Sequence, residues 1–509
     1  MKKKIFLLLV VIILFNFSVS IQTVNAVKTQ SFDNIKINSN CGTEWNTLYG
    51  GKHDEWPYGI EQTYDGGYIV TGITFSYGPV QGAVWLLKTD EYGNEEWNKS
   101  YYKSGLDYGM DVLQTDDDND GIFDDGYLVL GFAREDQHIW LIKTDEKGNM
   151  QWNCSYTGIK ISKGNDLERT SDGCYIITGY QSINLLAANF DLWLIKVDEK
   201  GEMIWNVSYP LPHWDEGFSV HETQDGGFIV AGGKLFPNNF DSFVYLMKTD
   251  SSGNLEWRKY LQRGLEDDWA NCIQITSDGG YALVGSAFFK TNEYGDLLWY
   301  TNITGDYFQQ TDDNSYFIIG EEDKWPSGPY GYDDLKLVKT DEHGKTEWKV
   351  NMGGSEIDRG KCIQKTNDGG LILAGFTASF TEGRFNDQLW LIKFDSQINL
   401  KIDRIFGGKG IRASVKNIGE NQIKNLNWSI HLESKFFHWN NVYKNPIANG
   451  SIKDLSVGER FIIKNPEVFA IGPCLIEICV GIIVVTVHCI AFGPLILIQR
   501  LHRDDWYYF

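Results

Sequence analysis

A tryptophan-bounded hairpin recurs along the chain and constrains its fold more than any other feature. The segment Trp140–Asp145 (Trp-Leu-Ile-Lys-Thr-Asp) is an apolar strand, and after a turn that contains Gly148 a second strand closes on Trp152. Further copies close on Trp97, Trp205, Trp257, Trp299 and Trp348. A unit of this size that repeats at a near-constant period indicates a propeller, solenoid or array.

Each unit begins with an approach strand that ends in an acidic turn, most often Asp-Gly. Asp-Gly between apolar runs is a strong hairpin signal. Seven such openings occur, at Asp65, Asp125, Asp172, Asp225, Asp278, Asp313 and Asp368. Since four strands in about 50 residues is typical of one propeller blade, the sequence predicts an all-β fold with a seven-bladed β-propeller over residues 41–396.

The two ends of this region complement each other. The seventh unit runs through Trp390–Asp395 but lacks a closing tryptophan strand, whereas an unpaired closing strand, Gly42–Trp45, precedes the first unit. We therefore expect the front strand to complete the last blade, which leaves no long free sheet edge. The fifth and sixth units depart from the repeat. Either the repeat has degenerated there, or the propeller has a functional opening at these two units.

The N-terminus has the pattern of a secretory signal peptide. Three lysines, Lys2–Lys4, precede an apolar run, and small residues end at Ala26, so residues 1–26 are predicted to be removed, with a linker over 27–40. The chain has 509 residues and a formal net charge of −22. Because an acidic surface repels phosphate, nucleic acid is an unfavourable partner.

The cysteines show neither a small-scaffold framework nor a metal knuckle. Cys272 and Cys362 occupy equivalent positions in their repeats, where other copies have Gly59 and Ser219, so packed thiols are expected there. Export permits disulfides, and Cys474, Cys479 and Cys489 are close enough for one local bridge, whose pairing stays open.

The repeat stops near Gln397. Alternating segments such as Leu426–Leu432 predict an antiparallel Ig-like β-sandwich over residues 397–499, with a C-terminal tail over 500–509. Residues 478–498 carry no formal charge and are long enough to cross a bilayer. Their β-branched run and Gly493-Pro494 favour strands instead, so two alternatives stand: sandwich strands or a membrane anchor.

The Asp-Gly-Gly-Tyr, Trp-Leu-Ile-Lys-Thr-Asp and Gly-Asn-x-x-Trp elements resemble the repeats of secreted prokaryotic surface propellers, which are grouped with PQQ-like or WD40-like propellers. The segment Val415–Gly419 and the Gly493-Pro494-Leu495 element resemble the Ig-like modules of the CARDB, or cell-adhesion-related, kind. These resemblances imply surface display and binding, and they imply no common chemistry.

An acidic insertion in the second unit is the sharpest candidate site. Residues 116–125 read Asp-Asp-Asp-Asn-Asp-Gly-Ile-Phe-Asp-Asp, and alternating acids around a glycine turn supply the oxygens that calcium prefers. The predicted ligands of a structural Ca²⁺ are Asp116, Asp118, Asp120, the Ile122 carbonyl, Asp124 and Asp125. The alternative is a solvated acidic loop without the flanking helices or terminal Glu of an EF-hand.

One acid per unit occurs eight residues before the threonine of the opening turn in five units. These acids are Glu55, Asp107, Asp215, Asp268 and Asp358. They form either a ligand-binding rim at one channel mouth or, since repeated residues usually serve the blade, ties for loop amides. The Lys-x-Asp pairs, for example Lys88 and Asp90, are likewise expected to stabilise the blade and not to bind a ligand.

Loop aromatics and sequons complete the candidate residues. Aromatics that the repeat does not explain are candidates for stacking on sugars or peptides, with packing between blades as the alternative: Trp56, Trp214, Trp269, Trp325, Tyr330 and Tyr332. The Asn-x-Ser/Thr sites are candidates for glycosylation: Asn98, Asn153, Asn206, Asn302, Asn427 and Asn449.

No motif for catalysis is present in the sequence. It contains no nucleophile elbow, phosphate-cradling loop or histidine cluster at zinc spacing. The sequence therefore predicts a non-enzymatic extracellular or cell-surface protein that binds a glycan, peptide or protein through a propeller face. The alternatives are a quinone-dependent or hydrolase-type propeller enzyme, and a structural envelope component.

Overall fold

Seven four-stranded antiparallel sheets make up residues 43–394 of the structure, which is a computed structural model. The prediction of an all-β, seven-bladed propeller is confirmed, and the described residues contain no helix. The structure describes residues 43–498 except 80, 104, 118–119, 159, 183–189, 211–213, 236–241, 262–268, 323–332, 354–355, 382–385, 395–399, 407, 410, 418–422, 435–447, 457–458, 466–469, 481–482 and 494.

The blades follow one another along the chain, and each is listed from its innermost to its outermost strand. Blade 1 contains β2 (Glu55–Gln62), β3 (Tyr68–Thr74), β4 (Ala83–Thr89) and β5 (Glu95–Tyr101). Blade 2 contains β6 (Asp107–Gln114), β7 (Tyr127–Ala133), β8 (His138–Thr144) and β9 (Met150–Tyr156). Blade 3 contains β10 (Ile161–Arg169), β11 (Tyr175–Ser182), β12 (Phe190–Val197) and β13 (Met203–Tyr209).

The remaining blades have the same order, and blade 5 has the shortest strands. Blade 4 contains β14 (Trp214–Glu222), β15 (Phe228–Leu235), β16 (Ser242–Thr249) and β17 (Leu255–Leu261). Blade 5 contains β18 (Ala270–Ile275), β19 (Tyr281–Gly285), β20 (Phe288–Thr291) and β21 (Leu297–Thr301). Blade 6 contains β22 (Tyr307–Gln310), β23 (Tyr316–Glu322), β24 (Asp334–Thr340) and β25 (Thr346–Met352). Blade 7 contains β26 (Asp358–Lys365), β27 (Leu371–Thr377), β28 (Gln388–Phe394) and, from the front of the propeller, β1 (Thr43–Tyr49).

The ring closes through β1, as the sequence predicts. This strand pairs antiparallel with β28, with Leu48 opposite Trp390 and Trp45 opposite Lys393. The last blade is therefore made from both ends of the propeller region, so the hydrogen bonds of one sheet hold those two ends together.

The closing tryptophan of one blade packs on the turn glycine of the next. These glycines have φ between 71° and 79°, a left-handed conformation, and a Cβ built on any of them would lie 2.4 to 3.0 Å from the nearest ring atom. The pairs are Trp45 with Gly93, Trp97 with Gly148, Trp152 with Gly201, Trp205 with Gly253, Trp257 with Gly295, and Trp299 with Gly344. The Gly-Asn-x-x-Trp spacing thus combines a turn and an inter-blade contact in one motif.

Replacement of Gly201 by alanine is expected to destabilise the propeller through this contact. Its added Cβ would lie 2.7 Å from Trp152 Cζ3, whereas Gly226, at nearly the same φ, has no atom within 4 Å of its Cβ position. Both substitutions strain the backbone, but only Gly201→Ala also displaces a ring, so it should cost about 2 kcal/mol more of unfolding free energy than Gly226→Ala. Chemical denaturation of the two variants measures this difference, and equal losses would contradict the packing role.

Buried lysines join the third strand of each blade to its opening turn. Lys88 is 2% exposed, and its Nζ lies 2.8 Å from Asp65 Oδ2 and 3.0 Å from Glu96 Oε2. Asp90 instead accepts hydrogen bonds from the backbone N–H groups of Tyr92 and Asn94 in the next turn. The lysine and aspartate of the Lys-x-Asp pair therefore each stabilise a different turn of the blade.

Strands also follow the propeller. A three-stranded sheet contains β29 (Leu400–Phe406), β31 (Ile411–Asn417) and β34 (Arg460–Asn465). A six-stranded sheet contains β30 (Gly408–Lys409), β37 (Leu495–Ile498), β36 (Ile483–Gly493), β35 (Ala470–Val480), β32 (Ile423–Ser434) and β33 (Ala448–Leu455). Within the described residues, no helix is long and apolar enough to cross a membrane. An Ig-like assignment for this region stays a prediction.

Candidate functional site

The acids at the starts of the innermost strands are buried. Glu55 is 0% exposed and accepts hydrogen bonds from Thr74 Oγ1 (3.1 Å) and the Gly51 backbone N–H (3.2 Å). Burial raises the pKa of the Glu55 carboxyl above its usual range. The described members of the set are all 0% exposed: Glu55, Asp107, Asp215 and Asp358. Their burial shows that they do not line an open rim. Asp107 accepts from the Lys103 backbone N–H at 2.7 Å and Asp358 from the Ser379 hydroxyl at 2.6 Å, so these two also hold loops. Asp268 lies outside the described residues.

The predicted contact aromatics are only partly within the described structure. Trp56 donates from Nε1 to Asp387 Oδ2 (2.8 Å) and packs edge-on against Phe75, so it joins blades 1 and 7. Trp269 is 42% exposed. The backbone of Trp214 starts β14, but its side chain lies outside the described residues, as do Trp325, Tyr330 and Tyr332.

The acidic loop of blade 2 is bound largely to its own backbone. Asp116 accepts hydrogen bonds from the Asp120 and Gly121 N–H groups, both at 3.1 Å, and Asp120 accepts one from Ile122 N–H at 2.8 Å. Asp117, which was not a predicted ligand, pairs with Lys143 Nζ at 2.8 Å. It thus replaces Asp125 as the turn aspartate of this blade, because the segment from Thr115 to Tyr127 is seven residues longer than the equivalent Thr63 to Tyr68 and displaces Asp125 from the repeat.

Calcium binding by this loop stays a prediction. Asp118 lies outside the described residues, and in the described part of the chain no group of three or more His, Cys, Asp or Glu residues could hold a metal. The donor chemistry fits calcium, since each carboxylate oxygen can accept a second partner. We expect calcium titration by calorimetry to give heat that Asp120→Asn abolishes and the nearby Asp136→Asn retains. Absence of heat in the unsubstituted protein would contradict the prediction.

The sequon asparagines have a structural role. Asn153 Oδ1 accepts from Trp140 Nε1 at 3.0 Å, and Asn206 Oδ1 accepts from Trp193 Nε1 at 3.1 Å, so these residues join the third and fourth strands. Asn153, Asn206 and Asn302 are exposed and Asn98 is half-buried. Asn427 and Asn449 lie in β32 and β33, with side chains outside the described residues. Glycosylation stays a prediction.

Two positions of each innermost strand lie beside a neighbouring blade, and most of their polar side chains bond to its backbone. They lie four and two residues before the turn threonine, and we call them the junction positions. A β-bulge precedes the first of them in all blades except blade 6, and such bulges re-aim side chains. The first position is occupied by Gly59, Asp111, Asp166, Ser219, Cys272, Tyr307 and Cys362.

Two carboxylates stand next to each other at the first junction position. Asp111 Oδ2 accepts from the Leu167 N–H of blade 3 at 3.2 Å, and Asp166 Oδ2 accepts from the Val220 N–H of blade 4 at 2.7 Å. Burial, and then repulsion from Asp166, raises the pKa of Asp111 well above its usual range. Cys272 and Cys362 are 0% and 4% exposed, so the predicted packed thiols are confirmed.

The second junction position also connects neighbouring blades. Its residues are Glu61, Leu113, Glu168, His221, Gln274, Gln309 and Gln364. Glu61 Oε2 accepts from the Gln114 N–H at 2.5 Å, and Gln364 Oε1 makes the same contact with the Gln62 N–H at 2.6 Å. Blades 1 and 3 use a carboxylate for this bond, whereas blades 5, 6 and 7 use a neutral amide.

Glu61 and His221, at this position, have shifted pKa values. Burial raises the pKa of Glu61 to about 7, against the opposing effects of the Gln114 N–H and Arg169. His221 Nδ1 lies 3.0 Å from Glu168 Oε1. Burial, the largest single effect, disfavours the imidazolium. Attraction and hydrogen bonding by Glu168, together with Asp166 and the Ile273 backbone, outweigh burial and raise the pKa of His221 to about 9. His221 and Glu168 are therefore an ion pair at neutral pH.

A cavity of about 620 Å³ opens where the innermost strands of blades 3 to 6 meet the opening turns. We call it the mouth pocket, and its lining residues are Glu168, His221, Glu222, Gln274, Ile275, Ser277, Gln309, Gln310, Thr311, Asp312 and Asn314. Asn314 has φ 63°, a left-handed conformation that asparagine tolerates, and accepts from Ser277 Oγ at 2.5 Å. The lining of the mouth pocket includes residues of blades 5 and 6, the two blades in which the repeat is least regular.

Sequence reasoning missed both the junction positions and this pocket. Their signal is polar residues at every second position of an approach strand, such as Asp166 and Glu168 around the buried Leu167. This alternation shows that the two acids share one face of the strand. It does not show which neighbouring blade that face contacts.

No protein-family profile matches the sequence, and no curated protein matches it. Similar solved structures include Sqt1 from Chaetomium thermophilum, with 8% identity, a TM-score of 0.41 and coverage of 70% of this chain and 99% of that chain. BamB from Moraxella catarrhalis has 11% identity, a TM-score of 0.37 and coverage of 68% and 85%. A streptogramin B lyase has 11% identity, a TM-score of 0.44 and coverage of 69% and 98%. The fold assignment rests on the seven sheets described above, and this fold by itself does not decide whether a chain is an enzyme.

Proposed function

We propose that the protein is a non-enzymatic binding protein, secreted or displayed at the cell surface, that holds a glycan, peptide or protein on the propeller face formed by the opening turns. The observation that carries this proposal is the mouth pocket. Its volume of about 620 Å³ lies in the range of ligand sites, and its lining is polar and supplied by four blades. The signal-peptide pattern of residues 1–26 supports export.

The internal bonding of the pocket supports a preformed site. Glu222 accepts from the backbone N–H of Ser171 at 2.6 Å, and Gln310 accepts from the N–H of Ser277 at 3.0 Å. Each of these bonds crosses between neighbouring blades, so the lining is fixed before a ligand arrives. Preorganisation of this kind lowers the entropy lost on binding.

A screen of the mature protein against glycan and peptide arrays tests the proposal. The screen is repeated with two variants: Glu222→Gln on the proposed face, and Trp269→Ala near the strand starts, which lie at the opposite face of a propeller. Hits that weaken with Glu222→Gln and survive Trp269→Ala support the proposal. The absence of any hit, or hits lost only with Trp269→Ala, would refute it. Mass spectrometry of exported protein that begins after residue 26 tests the localisation.

A further inference from the structure

The charges of the mouth pocket do not balance. Its lining contains three carboxylates, Glu168, Glu222 and Asp312, and one imidazole, His221. Glu168 and His221 neutralise each other as an ion pair, and Asp312 pairs with Lys365 at the rim. Among the described residues, the hydrogen-bond donors to Glu222 are the Ser171 N–H and hydroxyl, and neither is a cation. The pocket therefore carries excess negative charge within a chain whose net charge is −22.

Several hydrogen-bond donors of the pocket lining are already bonded to other protein groups, whereas its carboxylates can accept further hydrogen bonds. The Ser277 hydroxyl donates to Asn314 Oδ1, the Thr311 hydroxyl donates to Asp313 Oδ1, and Gln274 Nε2 donates to the Phe308 carbonyl. These donors are turned toward the protein, whereas a carboxylate has about four lone-pair sites and carries no proton to donate. A ligand group rich in donors would complement this arrangement.

The lining gives little support for sugar stacking. It contains no Phe, Tyr or Trp among its described residues, and Ile275 is its one aliphatic side chain. Aromatic faces supply much of the contact area in sites that bind flat apolar surfaces. A compact cation with several N–H donors needs no such surface, and the acidic surface of the chain would increase its encounter rate.

We infer that the mouth pocket binds a lysine or arginine side chain of a peptide or protein partner. This inference rests on the proposed function and narrows it to a basic ligand. The side chain enters from the opening-turn face, where its ammonium or guanidinium group donates to Glu222 and to Asp312 Oδ1, the carboxylate oxygen next to the one that pairs with Lys365. Glu168 positions the pocket wall through His221.

Binding of a lysine-rich peptide and of the same peptide with acetylated lysines tests the inference, because acetylation removes the charge and keeps the length. Fluorescence anisotropy with the full chain is expected to show at least tenfold weaker binding of the acetylated peptide. The double variant Glu222→Gln, Asp312→Asn should weaken binding of the unmodified peptide about tenfold as well. Both replacements keep an oxygen acceptor, so the Ser171 turn retains its partner.

Glu199→Gln is the matched control, since Glu199 is exposed on a turn of blade 3 outside the pocket. It should change the dissociation constant less than twofold. Equal weakening by Glu199→Gln and the double variant would indicate a general acidic surface and overturn the inference. A neutral glycan or peptide that competes at the mouth would overturn the inference and leave the proposed function standing. Circular dichroism of each variant separates lost binding from lost folding.

Discussion

Deletion of residues 43–49 is expected to destabilise the propeller more than any single substitution in its blades. It removes β1 from blade 7, leaves β28 as an exposed edge and withdraws Trp45 from Gly93. It also removes Tyr49, a 6% exposed side chain whose hydroxyl donates to the Gly93 carbonyl. Loss of one strand and its core contacts should cost roughly 5 kcal/mol of unfolding free energy, or about 10 °C in melting temperature.

A substitution within β1 serves as the control for this deletion. Trp45→Ala keeps the pairing with β28 and removes the ring that packs on blade 1, so it should give a smaller loss in the same direction. Differential scanning calorimetry measures both. An unchanged melting temperature after the deletion would show that the ring does not depend on the front strand.

The second large effect is a fall in stability as pH rises from about 4.5 to about 9. His221 has a folded pKa of about 9 against an ordinary 6.5, so its contribution is complete below 6.5 and is lost as pH rises through 9. Glu61 has a folded pKa of about 7 against 4.5, so the folded state disfavours its ionised form above that range. Each shift amounts to about 2 kcal/mol once screening by water near the axis is included.

Turn aspartates set the acid limit of the stability curve. Burial opposes ionisation of Asp172 and Asp225, but hydrogen bonds and pairing with the buried Lys196 and Lys248 hold their pKa values at about 2. Their contributions are therefore present above about pH 4 and are lost as pH falls through 2. We expect the melting temperature to be highest near pH 5, as measured by scans in buffers from pH 3 to pH 9.

Gln364 provides an internal comparison for the effect of Glu61 ionisation on stability. Gln364 occupies the equivalent position in blade 7 and makes the same bond to the next blade without a titratable group. Glu61→Gln should therefore keep the bond to Gln114 and raise stability at pH 8 by about 2 kcal/mol with little change at pH 4. An equal gain at both pH values would show that ionisation of Glu61 is not the cause.

The blades could be predicted from the sequence because their determinants are local. Trp152, Gly148 and the strand before them lie within one short segment, so the hairpin and its period are visible without knowledge of the fold. The closure by β1 could be predicted because the seventh unit lacks a closing strand and an unpaired closing strand precedes the first unit. The roles of Lys88 and Asp90 did not follow, because proximity in sequence suggested a pair and each residue binds a different turn.

The candidate site depends on contacts between blades, and these are not visible in a single repeat. Glu168 and His221 are separated by 53 residues and meet because adjacent innermost strands converge on the axis. The acidic insertion was predicted to be a calcium site because its charges are consecutive in sequence. Asp111 and Asp166, in contrast, resemble isolated polar residues within apolar strands. Convergence around a ring therefore creates sites that local patterns do not indicate.

Amide hydrogen exchange across β1 tests the central claim, closure of the ring by the front strand, most directly. The backbone amides of residues 45–49 that bond to β28 should exchange as slowly as the amides of their partner residues 389–393, because both sets open only when blade 7 unfolds. The alternate amides of this edge strand point away from β28 and should exchange faster. Exchange of every amide of residues 45–49 within seconds, beside protected residues 389–393, would contradict the closure of the ring.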